Sequence, residues 1–320
     1  MTSIGLSVIS YNRKDDLRKA LKSVFAQSRK PDEVLVVDNA SVDGAPAMVE
    51  KEFPQARLLR LEKNLGLCGG ANVAFEALHT DLVGIVESDT VLSGNWVEEV
   101  VRDFEARGHE RVGIVCPKYI QRLPSGCVDV EIPPKENGSI SHTNGIFAIH
   151  KKVFEGKKEK LYSEPYEMYA QEFDLSARVF NQGYWIKRNL AAATYHNVRN
   201  DAARAPSEWV FKNQFRNNLW SLWRFYSKRN ILAFTLPFLV YFLFYVKSPW
   251  IWLCGLAEAL AGLPWCMATR KVPASGEHAF YRSILANLSH IRAMRHYGYG
   301  SRPQEKYHYL DEKTLPEAAA

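Results

Sequence analysis

The sequence predicts an α/β fold: a mostly parallel sheet flanked by helices, followed by a helical C-terminal region with apolar, membrane-associating segments. Three observations carry that expectation. Short β-rich apolar runs alternate with amphipathic helical stretches over residues 1–118. Each run ends in a polar or glycine-rich cluster. Beyond residue 206 the chain turns helical, aromatic and basic. Strand and helix in alternation imply a parallel sheet covered on both faces, with ligands bound at the C-terminal strand ends.

Taken in order, strands are expected over residues 5–10, 33–38, 56–61, 82–87 and 112–117, with helices over 14–27, 45–53, 69–79 and 94–106. In the first helix Leu17, Leu21, Val24 and Phe25 recur at helical spacing. Pro124, Gly126, Pro133, Pro134 and Gly138 mark a loop-rich insertion, followed by a strand over 145–150. Gln171-Glu172-Phe173-Asp174 opens another helix, and strands follow over 184–189 and 194–197.

Residues 206–228 read as an aromatic-rich amphipathic helix, in which Trp209, Trp220 and Trp223 serve core or membrane-interface packing. Two apolar stretches come next: 231–246, uncharged and broken only by Pro237, and 249–268, with Glu258 in its middle. A bilayer-spanning helix needs about 20 apolar residues, so the first is short and the second carries an acid. Lys228-Arg229 and Arg270-Lys271 flank the pair, which keeps both outer ends cytoplasmic, as a shallow hairpin or interfacial helices require. The expected division is an α/β domain over 1–205 and a helical region over 206–320.

The 320 residues carry a net charge of +6, and the last third is rich in Lys and Arg. That bias points to an anionic partner, a membrane surface or a nucleic acid. The uncharged run at 231–246 argues against nucleic acid, because phosphate contacts call for solvent-facing charge. Five cysteines without metal-ligand spacing fit reduced, mostly buried thiols of a cytosolic protein. The N-terminus turns polar too soon for a signal peptide, so the expected location is the cytoplasmic face of the membrane.

The strand ends hold the chemistry. They read Ser10-Tyr11-Asn12-Arg13, then Asp38 to Gly44, then Asn64 to Asn72, and finally Glu87-Ser88-Asp89-Thr90. Glycines at 66, 69 and 70 let backbone N–H groups approach a phosphate at a helix start. Two acids closing an apolar run are costly unless exposed, paired or bound to a metal.

In their order and spacing, LSVISYNR (6–13), VVDNASVDG (36–44), NLGLCGGAN (64–72), ESDT (87–90), NGIFAIHKKVF (144–154) and QEFDLSAR (171–178) resemble a family 2 glycosyltransferase of the GT-A, Rossmann-like fold. The group includes bacterial rhamnosyltransferase-like enzymes of cell-surface polysaccharide assembly. The resemblance covers residues 4–200 and, weakly, Arg216-Asn217. It implies an inverting transfer from a nucleoside diphosphate sugar, with UDP or dTDP as carrier, to a polyprenyl-diphosphate-linked saccharide. It places Asp38 against the nucleotide base and Ser10, Tyr11, Asn12, Asn64, Asn72 and Ser88 around the nucleotide. Asp38 also fits a turn-opening role, and Asn64 and Asn72 fit turn and cap roles.

Glu87-Ser88-Asp89 takes the place of the family's DxD motif, implying a divalent Mn²⁺ or Mg²⁺ held by Asp89 with Glu87, and His196 completing the site. Glu172 matches the general base that takes the acceptor hydroxyl proton, and Asp174 is a second candidate. Both acids also suit a positive helix N-terminus. Gln171-Glu172 departs from the family's Glu-Asp pair, and that departure supports the alternative of a non-catalytic nucleotide-sugar-binding protein.

Overall fold

The computed structural model describes residues 1–123, 126–129, 139–140, 143–197, 208–246, 248–272 and 309–310. The chain starts with the expected alternation: β1 (Ile4–Ser10), α1 (Lys14–Phe25), β2 (Glu33–Asp38), α2 (Ala45–Glu52), β3 (Arg57–Arg60), α3 (Gly66–Ala77) and β4 (Leu82–Glu87). A short β5 (Thr90–Leu92) and α4 (Trp96–Glu105) lead to β6 (Val112–Leu123), β7 (Gly126–Asp129), β8 (Ser139–Ile140) and β9 (Phe147–His150). Then come α5 (Gln171–Asn181), β10 (Trp185–Asn197), α6 (Glu208–Phe225), α7 (Lys228–Val246), α8 (Pro249–Ala261), α9 (Leu263–Ala268) and β11 (Tyr309–Leu310).

Along the sheet the order is β11-β7-β6-β9-β4-β1-β2-β3, with β10 beside β6. Strands β1 to β4 pair in parallel, and β9 runs antiparallel between β4 and β6. Because β1 lies between β2 and β4, the strand order reverses there, and the crevice beyond their C-terminal ends is where such sheets take ligands. β1 and β4 are buried on both faces, which is why they read as continuous apolar runs.

Four expectations are corrected. α3 starts at Gly66 rather than 69, because the glycine sits at φ +70° and turns the chain into the helix three residues early. The strands expected over 184–189 and 194–197 are one strand, β10. Its register against β6 slips between Arg188 and Ala193, opposite Pro117, which has no N–H to offer the ladder. Asn189 closes the bulge by accepting from the N–H groups of Ala191 (2.9 Å) and Ala192 (2.7 Å).

The remaining two lie in the helical region. Pro237 does not break α7, whose Phe238 and Phe242 rings pack on Phe215 of α6 at 5.7 and 4.8 Å. The stretch 249–268 is not one helix: it parts at Gly262, where the Trp220 indole occupies the space a side chain would need.

Glu258 is answered too. It meets Lys212 and Arg216 of α6, each at 3.2 Å, so α8 docks on α6 through an ion pair as well as apolar contact. One hydrophobic cluster runs from sheet residues such as Ile85 and Phe147 through α5 to Phe215, Trp220, Phe242 and Cys266, across the boundary expected at 205. Trp220 and Trp223 are core, whereas Trp209 is exposed. No helix among the described residues is long and apolar enough to cross a membrane.

Candidate active site

β4 delivers Glu87 to the crevice beside Ile9 of β1, and Ser88 N–H donates to the Ile9 carbonyl at 3.1 Å, extending the pairing one residue further. Asp89 follows. β10 returns antiparallel to β5 and sets His196 opposite Thr90, one residue beyond Asp89. Ligand atoms of Glu87, Asp89 and His196 all lie within 4.8 Å of one another. Two carboxylates and an imidazole suit a hard or borderline divalent cation.

The electrostatics fit a cation there. Burial, with Asp89 adding to it, pushes Glu87 up to about 7, although His196 offsets part of the rise. Burial alone would raise Asp89, but His196 and Arg13 beside it hold its carboxyl below the ordinary range. His196 Nε2 stands 3.5 Å from Asp89 Oδ1, and its Nδ1 is buried without a hydrogen-bond partner among the described residues. Burial would lower this imidazole, but Asp89 and Glu87 together raise it. Gly145 makes room for the motif's first acid, since a Cβ there would sit 2.8 Å from Glu87 Oε1.

Two neighbours of the triad escaped the sequence reading. Arg13 Nη1 donates to Asp89 Oδ2 at 2.7 Å, so it is the group already compensating this carboxylate. Tyr119 stacks on His196 at 5.5 Å and 28°, fixing the ring plane. Arg13 stood in the SYNR motif, but its partner is 76 residues away. Tyr119 lies in a stretch with no motif at all.

The residues expected around the nucleotide divide. Among the described residues, Ser10, fully buried, has no partner for its Oγ, and Asp38, 3% exposed, has none for Oδ1 while Oδ2 accepts from Ser41 N–H at 3.1 Å. Asp38 therefore opens its turn with one oxygen and presents the other. Ser88 is buried, and Tyr11 stands exposed at the crevice.

Others hold loops in place. Asn12, at φ 52°, braces the loop after β1 on the loop after β2, taking Val42 N–H at 2.8 Å. Asn64 is an exposed turn residue accepting from Gly66 N–H at 2.8 Å. Asn72 spends its amide on Tyr162, donating to the carbonyl at 3.0 Å and accepting the N–H at 2.7 Å. Asn39, overlooked in the sequence, ties β2 to α3 by donating to Gly66 O and accepting from Leu65 N–H, both at 3.3 Å.

α5 brings the remaining acids. Burial pushes Glu172 up to about 7, with the charge of Glu87 adding to the rise. Gln171 Nε2 donates to Glu172 Oε1 at 2.8 Å and so orients the carboxylate. The entry to the helix is strained: Tyr169 and Ala170 have φ of 70° and 57°. Asn217 of α6, fully buried, pins that entry by donating to the Met168 and Tyr169 carbonyls at 2.8 and 2.9 Å.

Asp174 sits elsewhere. Two residues along an α-helix are about 200° apart, so it leaves α5 on the side opposite Glu172. It is fully buried and held by Arg178 Nε at 2.9 Å, by Arg224 Nη1 and by Ser163 Oγ. Burial would raise it, but the two arginines and Ser163 keep it below the ordinary carboxylate range.

Comparison with known proteins agrees with this geometry. Residues 6–126 match the model of Glycosyl transferase family 2. The succinoglycan biosynthesis protein ExoO of Rhizobium meliloti (strain 1021) is 30% identical over 102 residues, 32% of this chain. The match spans only 29% of ExoO's own length. An uncharacterized glycosyltransferase of Haemophilus influenzae is 18% identical over 230 residues, covering 63% of this chain and 71% of the relative. A crystal structure of GalNAc-T7 with UDP, GalNAc and Mn2+ superposes with a TM-score of 0.58 at 12% identity, over 77% of this chain and 51% of that one. That likeness concerns the fold, a GT-A-like α/β sheet. Over residues 6–126 the chain is therefore similar to glycosyl transferase family 2.

Proposed function

We propose that the protein transfers a sugar, with inversion, from a nucleoside diphosphate donor to a hydroxyl of a lipid-linked saccharide at the cytoplasmic membrane face. The observation that carries the reading is the convergence of Glu87, Asp89 and His196 at the C-terminal strand ends, with a half-buried Glu172 near enough to feel the charge of Glu87 and its carboxyl raised to about 7. Residues of this chain then have distinct tasks. The free oxygen of Asp38 accepts the N3–H of a uracil or thymine base. Glu87, Asp89 and His196 would hold a divalent Mn²⁺ or Mg²⁺, which would neutralise the donor diphosphate. Glu172 takes the proton of the acceptor hydroxyl as its oxygen bonds to sugar C1. The C1–O bond to the diphosphate breaks in the same displacement, and the bonding pair leaves with the nucleotide. Asp174 is a structural anchor in this scheme, because its oxygens are committed to arginines.

Support for a lipid-linked acceptor comes from an exposed apolar stripe. Leu232, Leu236, Val240 and Leu243 recur along α7 at one-face spacing, and Trp250, Leu253 and Leu260 continue the exposure on α8. The similarity to ExoO, named a succinoglycan biosynthesis protein, favours a glycan product.

The test is calorimetric titration of the full chain with UDP, dTDP, GDP and CMP, with Mn²⁺ and again with EDTA. Metal-dependent binding of one pyrimidine diphosphate, lost in Asp89→Ala, is expected. Failure of all four nucleotides to bind overturns the reading.

A further inference from the structure

A second cavity, of about 540 Å³, opens on the side of α5 away from Glu172, between the 158–165 loop, α6 and α9. Its wall is part aromatic, from Phe225 and Trp265, and part cationic, from Lys158, Lys160, Arg178, Arg224 and Lys271. The acids that face these cations are Glu159 and Glu164 in the lining and Asp174 behind it. They are already engaged: Glu159 and Asp174 with Arg178, Asp174 with Arg224, and Glu164 with Lys160 at 2.8 Å. The ammonium groups of Lys158 and Lys271 have no carboxylate partner among the described residues, so the cavity carries surplus positive charge.

The site is also built. Arg224 and Arg178 have side chains 4% and 9% exposed. Arg224 is clamped by Asp174, by Thr269 Oγ1 at 2.9 Å and by the Trp265 ring at 4.2 Å. Lys271 is held at its backbone, donating to the Arg224 carbonyl at 3.0 Å and accepting from Asn181 at 3.0 Å, which leaves its side chain free to reach a ligand. A cationic mouth on a rigid aromatic wall matches a phosphate group carried on an apolar body. Met267, on the same short helix as the lining residue Trp265, is exposed.

We propose that this cavity is an anion site for the phosphate or diphosphate end of an amphiphilic ligand, distinct from the strand-end crevice that holds Glu87 and Asp89. The proposal does not rest on sugar transfer, because binding is read without donor, metal or turnover.

The experiment titrates the full chain in EDTA with inorganic pyrophosphate and with geranyl diphosphate, a short water-soluble prenyl diphosphate. Three proteins are compared: the natural sequence, the Lys158→Glu/Lys271→Glu double variant and Asp89→Ala. Both lysines are exposed, so the double variant is expected to fold. The expected result is saturable binding, at least tenfold weaker in the double variant and unchanged in Asp89→Ala. Geranyl diphosphate binding at least tenfold tighter than pyrophosphate supports the amphiphile. Equal affinities overturn that part and leave a site for a soluble phosphate compound. Absence of saturable binding, or binding lost in Asp89→Ala and kept in the double variant, overturns the site.

Discussion

At the scale of single residues, two carboxylates two positions apart behave in opposite ways, and the difference is testable. Glu172 is raised to about 7 by burial, so the fraction ionised and able to act as a base falls as pH drops through that value. Transfer rate at saturating substrate is expected to fall as pH drops through about 7. Glu172→Gln should lower turnover by about 10²–10⁴-fold, and full activity in this variant sinks the assignment. The sign for stability is reversed. A carboxyl raised on folding contributes stability that is complete below its ordinary 4.5 and lost as pH rises through about 7. Glu172→Gln removes that loss, and its thermal midpoint at pH 8 should equal or exceed the natural protein's. Helical periodicity alone put the two acids on opposite sides of the helix, but the sequence left both as candidates for the base. Their partners were not legible, since Arg224 lies 50 residues from Asp174.

At the scale of elements, the site depends on loops bent into unusual conformations and fastened from afar. Asn217→Ala deletes both hydrogen bonds that pin the strained Tyr169-Ala170 entry to α5. Leaving those part-buried carbonyls unmet should cost about 1 kcal/mol. Loss of the pin should also lower kcat while donor KM holds, a split that simple destabilisation does not produce. Gly66→Ala forces a side chain onto φ +70° and against the Glu167 carbonyl at 3.2 Å. A cost of about 1–2 kcal/mol is expected from the urea midpoint. The strands and helices of the first hundred residues were readable because each obeys its own period. The bulge in β10 and the split at Gly262 were not, because each answers a group on another element: Pro117 in one case, the Trp220 indole in the other.

At the scale of the whole molecule, Asp174 joins α5, the 158–165 loop and α6 at the seam between the sheet and the C-terminal helices. Asp174→Ala strands two buried guanidinium groups and should cost about 3–5 kcal/mol. The contribution is pH-dependent in the usual sense for a depressed carboxyl. It is present above the ordinary 3.8 and disappears as pH falls through the lower folded value, so Asp174→Asn should flatten the acid limb of unfolding. The exposed stripe on α7 makes a separate prediction. Leu232→Asp/Leu236→Asp should keep its thermal midpoint, because both residues are solvent-facing, yet sediment poorly with anionic vesicles. Unchanged vesicle binding would remove the membrane from the proposed function.

The sequence by itself determined the α/β alternation, the side of the sheet on which chemistry gathers, and the acids that end β4 and open α5. These follow from local rules, since hydrophobic period sets the element and charge is costly inside it. Only the tertiary structure decided that Tyr119 stacks on His196, that Arg13 already compensates Asp89, and that Asn72 and Asp174 hold loops and helices together. Those outcomes depend on which distant backbone reaches each polar group first. A buried donor or acceptor takes the partner that packing brings to it, wherever that partner lies in the chain.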